Sequence, residues 1–224
     1  MKASLIVLLP LLAVTSALGA TYTVDGTSDL WLSGAAWYAS ASTNDYLYNA
    51  APLEIAGITG GKTYAFSVTG SVSNIATPSG LSPDGGSFTS HTAGAQNGIS
   101  NITAPMSSLV GVFLTNKTPK SGDAATALDF STFGTEFTTL APKLNQVFFI
   151  GDGKTTSGLT QTFLAPTAAT RLFLGTMDGY EWNNNSGSFA VDMTVVPEPA
   201  TYAAFFGIGT LGFVAVRRYR QRKG

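Results

Sequence analysis

The chain contains no cysteine. Disulfides, thiolate metal sites and thiol catalysis are therefore excluded. Charge is also scarce: Asp, Glu, Lys and Arg together make up 11% of the 224 residues. Surface helices draw on Glu, Lys, Leu and Arg, so this composition disfavours them. There is a single histidine, His91, in the Ser, Gly and Thr stretch GGSFTSHTAGAQNG. One loop histidine of this kind is expected to face solvent, and it supplies neither a zinc cluster nor a base with an orienting partner. No Gly-x-Ser-x-Gly elbow occurs. Gly153-Lys154-Thr155 ends like a phosphate loop, but Phe148 stands where that loop needs glycine. Asp45, Glu54, Asp152, Asp178 and Glu181 are acidic without any spacing that marks a glycosidase pair. The sequence thus reads as a binding or structural protein and not as an enzyme.

What remains is rich in Gly, Ser, Thr, Ala and Asn, with Phe, Tyr, Trp, Val, Leu and Ile spread throughout. That mixture suits strands and turns, and it argues against disorder. The net charge of −1 hides an asymmetry. Arg217, Arg218, Arg220, Arg222 and Lys223 crowd the last positions, and Lys2 precedes the first apolar run. The six remaining bases face all thirteen acids, so the stretch between Lys2 and Arg217 stands at −7. An acidic body does not favour nucleic acid as a partner, and none is expected, since phosphate binding depends on clustered Lys and Arg.

Both ends read as addresses. Residues 1–20 combine Lys2, the apolar run LIVLLPLLAV at 5–14 and the small-residue stretch TSALGA. Together they form a secretory signal cut by signal peptidase between positions 17 and 20. An uncleaved anchor is the weaker alternative, because the run is short and broken by Pro10. At the other end Val196, Pro197, Glu198 and Pro199 precede the uncharged run ATYAAFFGIGTLGFVAV at 200–216, followed by the basic end 217–223. At 1.5 Å per residue a helix over 200–216 reaches about 25 Å, enough for a thin transmembrane span. The arginines after it form a stop-transfer signal that stays cytoplasmic, which leaves the body in the periplasm.

This ordered tail, 196–224, closely resembles the PEP-CTERM sorting domain, also described as an ice-binding-protein C-terminal domain. The resemblance implies recognition by an exosortase, cleavage near Pro197-Glu198-Pro199, and release of the body to the cell surface or extracellular matrix. Proteins of this kind typically come from Gram-negative bacteria that make exopolysaccharide. A permanent single-span anchor is the plainer reading, but it gives the Pro-Glu-Pro no purpose. No ice-binding role is read, since the body has no regular Thr-x-Thr ladder.

The body, 21–195, is roughly 175 residues, enough for one domain with a real core. Its strongest period is two. Tyr64, Phe66, Val68 and Val72 alternate with Ala, Ser and Thr, and Phe189, Val191, Met193 and Val195 do the same. Half-buried strands read this way. LVGVFL at 109–114, VFFI at 147–150 and RLFL at 171–174 are short apolar runs between turn residues, consistent with core strands. Weaker strands are expected at 21–24, 29–32 and 53–58. Gly60-Gly61, the Pro83-Asp84-Gly85-Gly86 run, a tight hairpin at Gly151-Asp152-Gly153, and Asn183-Asn184-Asn185 punctuate them. Only 122–140 has room for a helix. The pattern predicts an all-β fold, an antiparallel β-sandwich of jelly-roll, galactose-binding-like type.

The most informative segment is RLFLGTMDGYEWNNNSGSFAVDMTV at 171–195. Its loop gathers Asp178, Glu181, Asn183, Asn184 and Asn185, an oxygen-rich set that suits Ca²⁺ rather than zinc. A hairpin turn whose asparagines bond their own backbone explains the same composition. The segment is similar to the C-terminal part of the PA-I type galactophilic lectins, β-sandwiches that bind galactose through Ca²⁺. The likeness lies in an apolar strand, an Asp, a short loop, then Asn-Asn-Ser-Gly-Ser-Phe. It extends back to TYAFSVTGSVSN and Pro83-Asp84-Gly85. The resemblance implies Asp178, Asn184 and Asn185 as side-chain ligands of Ca²⁺, with backbone carbonyls from Glu181 and Asn74. It also puts Asp84, with His91 as a counterpart, on the loop that contacts sugar, although the residues after Pro83 differ from the lectin pattern. A sugar site needs an aromatic platform, for which Trp182 stands in the loop, whereas Trp31 and Trp37 read as core. The segments TYTVDGTSDLWLSG and FIGDGKTTSGLTQTFLAP also resemble a set of exported PEP-CTERM proteins, which supports the architecture and names no substrate.

Three functions compete on these grounds. The body is a Ca²⁺-dependent module for exopolysaccharide, a ligand-free structural matrix protein, or, least favoured, a hydrolase of matrix polymers.

Overall fold

The computed structural model describes residues 20–35, 50–75, 79–197 and the single positions Arg218 and Gln221. The signal at 1–19, Trp37, Asp45, Glu198, Pro199, the run at 200–216, Arg217, Arg220, Arg222 and Lys223 lie outside the described residues. No helix among the described residues is long and apolar enough to cross a membrane.

The regular structure among the described residues is mostly β, with almost no helix. A five-stranded sheet runs in the order β1 (Thr21–Asp25), β12 (Ser186–Val196), β3 (Thr63–Ser73), β10 (Thr162–Leu164) and β8 (Thr139–Leu140). A four-stranded sheet follows the order β2 (Leu53–Ala56), β11 (Arg171–Thr176), β6 (Leu109–Leu114) and β9 (Val147–Phe149). A small third sheet comprises β4 (Phe88–Ser90), β5 (Ile102–Pro105) and β7 (Leu128–Asp129). Pairing is antiparallel except for β8 with β10 and β5 with β7, which are parallel. The expected all-β architecture is present, with these two pairs and the third sheet added to it.

Alternation on the strands explains the layering. Tyr64, Phe66, Val68 and Val72 of β3, with Phe189 and Val191 of β12, face Leu109, Phe113, Phe148, Leu172 and Leu174 of the four-stranded sheet. Ser67, Thr69 and Asp192 point outward and are exposed. The four-stranded sheet is covered on both sides. Val110, Val112, Leu114, Val147, Phe149 and Phe173 enter a second core with Leu30, Trp31, Ile102, Phe130 and Trp182. Every residue of β6 and β9 is therefore buried. That double burial is why LVGVFL and VFFI read as continuous apolar runs and not as alternation. Each such side chain contributes about 1.5–3 kcal/mol on burial.

Several local expectations are corrected. Residues 29–32 form no strand: Leu30–Leu32 is a 3₁₀ turn, capped by the Asp29 carboxylate accepting the Trp31 N–H at 2.9 Å. The segment 122–140 contains one helical turn, α1 (Phe130–Phe133), begun by Asp129 and ended at Gly134. Gly151-Asp152-Gly153 does not close a tight hairpin between neighbouring strands. It carries the chain from β9 in one sheet towards β10 in the other, with only an isolated Lys154–Thr160 bridge between.

Candidate functional site

β11 ends at Thr176, and Met177, Asp178 and Gly179 continue it inward as buried residues. Backbone bonds pin this stretch on both sides: Met177 N–H donates to Ser108 O at 2.9 Å, Ser107 N–H to Met177 O at 2.7 Å, and Thr92 N–H to Gly179 O at 2.9 Å. Tyr180 then points into solvent, 51% exposed. Glu181 takes a left-handed conformation, φ 65° and ψ 44°, and starts the 3₁₀ turn Trp182–Asn184 that leads into β12. The Asp178 carboxylate accepts the N–H of Gly179 at 2.6 Å. Asn185 donates its side-chain N–H to Gly26 O at 3.0 Å, a carbonyl shared with the Thr176 hydroxyl.

Two amide oxygens are left over. Asn184 Oδ1 and Asn185 Oδ1 are buried without a hydrogen-bond donor. A buried acceptor in that state costs about 1–3 kcal/mol. Asn74 belongs to the same end of the sheet: Ser73 pairs with Ser186, so Asn74 and Asn185 flank that pair. The Ser186 hydroxyl reaches Ile75 O at 3.2 Å, which ties the two segments together. Asn74 thus lies on a segment that meets the start of β12 beside Asn185, although the two are far apart in sequence. Glu181 is already engaged, its carbonyl accepting the Asn184 N–H and its carboxylate the Asn184 side-chain N–H at 3.3 Å. A carbonyl has a second lone pair, so that bond still leaves an acceptor position.

Trp182 is not an exposed platform. Its ring is fully buried, and its Nε1–H donates to Thr176 O at 2.9 Å. An indole held inside by its own hydrogen bond is a core residue. His91 is also interior, at 2% exposure, and not a solvent-facing loop residue. It stacks on Trp31 with ring centroids 4.1 Å apart, meets Trp182 edge-on at 5.6 Å, and its Nδ1 lies 2.8 Å from Gly94 O. Trp31 is core, as its sequence context implied. The cluster includes Trp182 of the 178–185 loop itself, and it joins positions too distant in sequence for any local pattern to reveal.

Asp84 lies elsewhere, in a cleft of about 340 Å³ lined by residues including Thr135, Glu136, Phe149, Asp152 and Lys154. Its Oδ1 accepts the Asp152 N–H at 2.9 Å. Burial holds its carboxyl above the usual carboxylate range, and the charges of Asp152 and Glu136 push the same way against that hydrogen bond. Of the three proposed sugar contacts, His91 and Trp182 touch each other in the core, and neither lines the cleft that holds Asp84. A carboxyl raised in the fold contributes stability that is complete below its unfolded value and is lost as pH rises through its folded value. Asp84→Asn, which keeps an acceptor for Asp152, is expected to raise the urea midpoint at about pH 7 and leave it unchanged at about pH 3. The carboxyl is only partly desolvated and its side chain still reaches water, which limits the gain to less than roughly 1 kcal/mol.

Residues 195–220 match the PEP-CTERM protein-sorting motif. The chain thus carries the mark of an exported protein processed by an exosortase and sorted by way of the membrane. No curated protein and no solved structure matches the chain. Among the described residues, no three His, Cys, Asp or Glu side chains group to hold a metal ion.

Proposed function

We propose that the exported body is a glycan-binding module of the cell surface or matrix whose 178–185 loop holds Ca²⁺. The observation that carries this reading is the pair of donorless buried oxygens, Asn184 Oδ1 and Asn185 Oδ1. They stand in one loop with the Asp178 carboxylate, at the sheet end that also carries Asn74. Ca²⁺ takes six to eight oxygen ligands and accepts amides and backbone carbonyls among them. The exposed ring in this loop is Tyr180, which takes over the stacking role that Trp182 cannot perform.

Thermal melts of the body in CaCl₂ and in EDTA test the metal. At a hundredfold excess over Kd, binding adds about 2.7 kcal/mol. For a domain of this size that raises Tm by roughly 5–10 °C. Asn184→Ala is expected to abolish the increment, whatever it does to the baseline. Equal melts in the two buffers would overturn the metal reading. Retention on exopolysaccharide that survives in Tyr180→Ala would remove the ring from the site. A ligand-free matrix role is the second reading, favoured by the hydrogen bonds that already engage Asp178, Glu181 and the Asn185 side-chain N–H within the fold.

A further inference from the structure

The sorting motif overlaps the fold. The matched segment begins at residue 195, and β12 remains paired with β3 through Val195 opposite Tyr64 and Val196 opposite Thr63. Pro197 follows directly. From Val196 to the start of the apolar run at 200 the chain spans at most about 14 Å, however it is arranged. With the run at 200–216 read as a membrane span, the headgroup layer would take up about 6 Å of that. Any peptidase that cuts between the fold and the span works in this gap, and it must receive an extended segment on both sides of the scissile bond. The residues on the body side are held in the sheet.

Their hold is the weakest along the strand. β1 stops at Thr21, opposite Asp192, so Met193–Val196 are flanked by β3 alone among the described strands. Phe189 and Val191 are fully buried, whereas Met193 is only partly buried against the core, Thr194 is exposed and Val195 is 55% exposed. Strand ends with few buried contacts open locally at a small fraction of the global unfolding free energy. We infer that sorting cleavage is gated by the fold: the last residues of β12, 193–196, must peel from β3 before the Pro-Glu-Pro segment can enter the sorting peptidase. This rests on the exosortase reading of the tail. The segment acts as a positioning element of the substrate, since it releases or withholds the scissile bond without touching it.

The test uses the full chain in membranes that contain the sorting peptidase, with loss of the basic end followed by mass. A flexible Gly-Ser insert of about six residues between Val196 and Pro197 supplies slack without disturbing β12. Cleavage is expected to accelerate roughly tenfold, which corresponds to removing an opening step of about 1.4 kcal/mol. Equal or slower cleavage with the insert would overturn the gate. Failure of every form to be cleaved, including the unmodified chain, would overturn the exosortase reading and the gate with it. Hydrogen exchange on the body gives a second measurement. Amides of 194–196 are expected to exchange at least tenfold faster than that of Val191, and equal protection would refute the peeling step.

Discussion

Trp182→Ala is expected to destabilise the body by about 3–5 kcal/mol, the range for removing a fully buried large aromatic side chain. The ring contributes to the second core, where its centroid lies 5.4 Å from Trp31 and 5.6 Å from His91. Its loss opens a cavity among partners that are themselves pinned. Trp31 Nε1–H donates to Ser100 O at 3.0 Å, and the His91 loop bonds to Gly179 through Thr92. The neighbours cannot collapse without giving up hydrogen bonds, so relaxation recovers little. The substitution also leaves Thr176 O without the indole donor. Urea unfolding should show a lower midpoint with an unchanged slope. A change below about 1 kcal/mol would mean that the ring is dispensable to packing and would reopen a role for it at the surface.

The second large effect is expected at Gly153, which has φ +83°. A Cβ built there would lie 2.0 Å from Phe66 O, a backbone atom of β3 that cannot swing aside. Gly158 has the same φ and nothing within 4 Å of the corresponding position. Gly158→Ala therefore isolates the conformational penalty, about 1–2 kcal/mol for an L-residue in the left-handed region. Gly153→Ala adds the displacement of β3 at the crossing between the two main sheets, for a total of roughly 3 kcal/mol or more. Denaturation of the two variants side by side measures the difference. Equal losses would show that the crossing loop moves freely against β3.

This glycine also marks where the sequence could and could not be read. Gly151-Asp152-Gly153 announced a turn, and a turn is there. Whether it led back along the same sheet or across to another depended on contacts with Phe66, Val68 and Asp84, and no local pattern encodes these. Strands buried on one or both faces were legible, because side-chain alternation in β3 and β12 and continuous apolarity in β6, β9 and β11 follow directly from what each face touches. The short strands β4, β5, β7, β8 and β10 passed unnoticed, since two to four residues are too few to establish a period. The apolar Leu30-Trp31-Leu32 fits a short core strand as well as a buried turn; the Asp29 carboxylate, capping the Trp31 N–H, decides for the 3₁₀ turn.

At the candidate site, composition pointed to the loop, and register then joined Asn74 to it. The two rings assigned by residue type went astray for one reason. Burial of Trp182 and His91 is mutual, through Trp31, and each looks like a surface residue when read alone. Tyr180, the ring that does reach solvent, carried no signal beyond its position between Gly179 and Glu181.

The adjacency of the first and last strands has a mechanical consequence. β1 starts opposite Asp192 and runs to Asp25 opposite Ser188, while β12 runs the other way towards the tail. A tug between the two termini would unzip β1 from β12 pair by pair, at low force. A pull between the tail and the far end of β3, at Ser73 opposite Ser186, instead loads the eleven paired positions of β12 and β3 together in shear. A particle gripped at its distal tip and anchored through its tail would resist in its stronger direction.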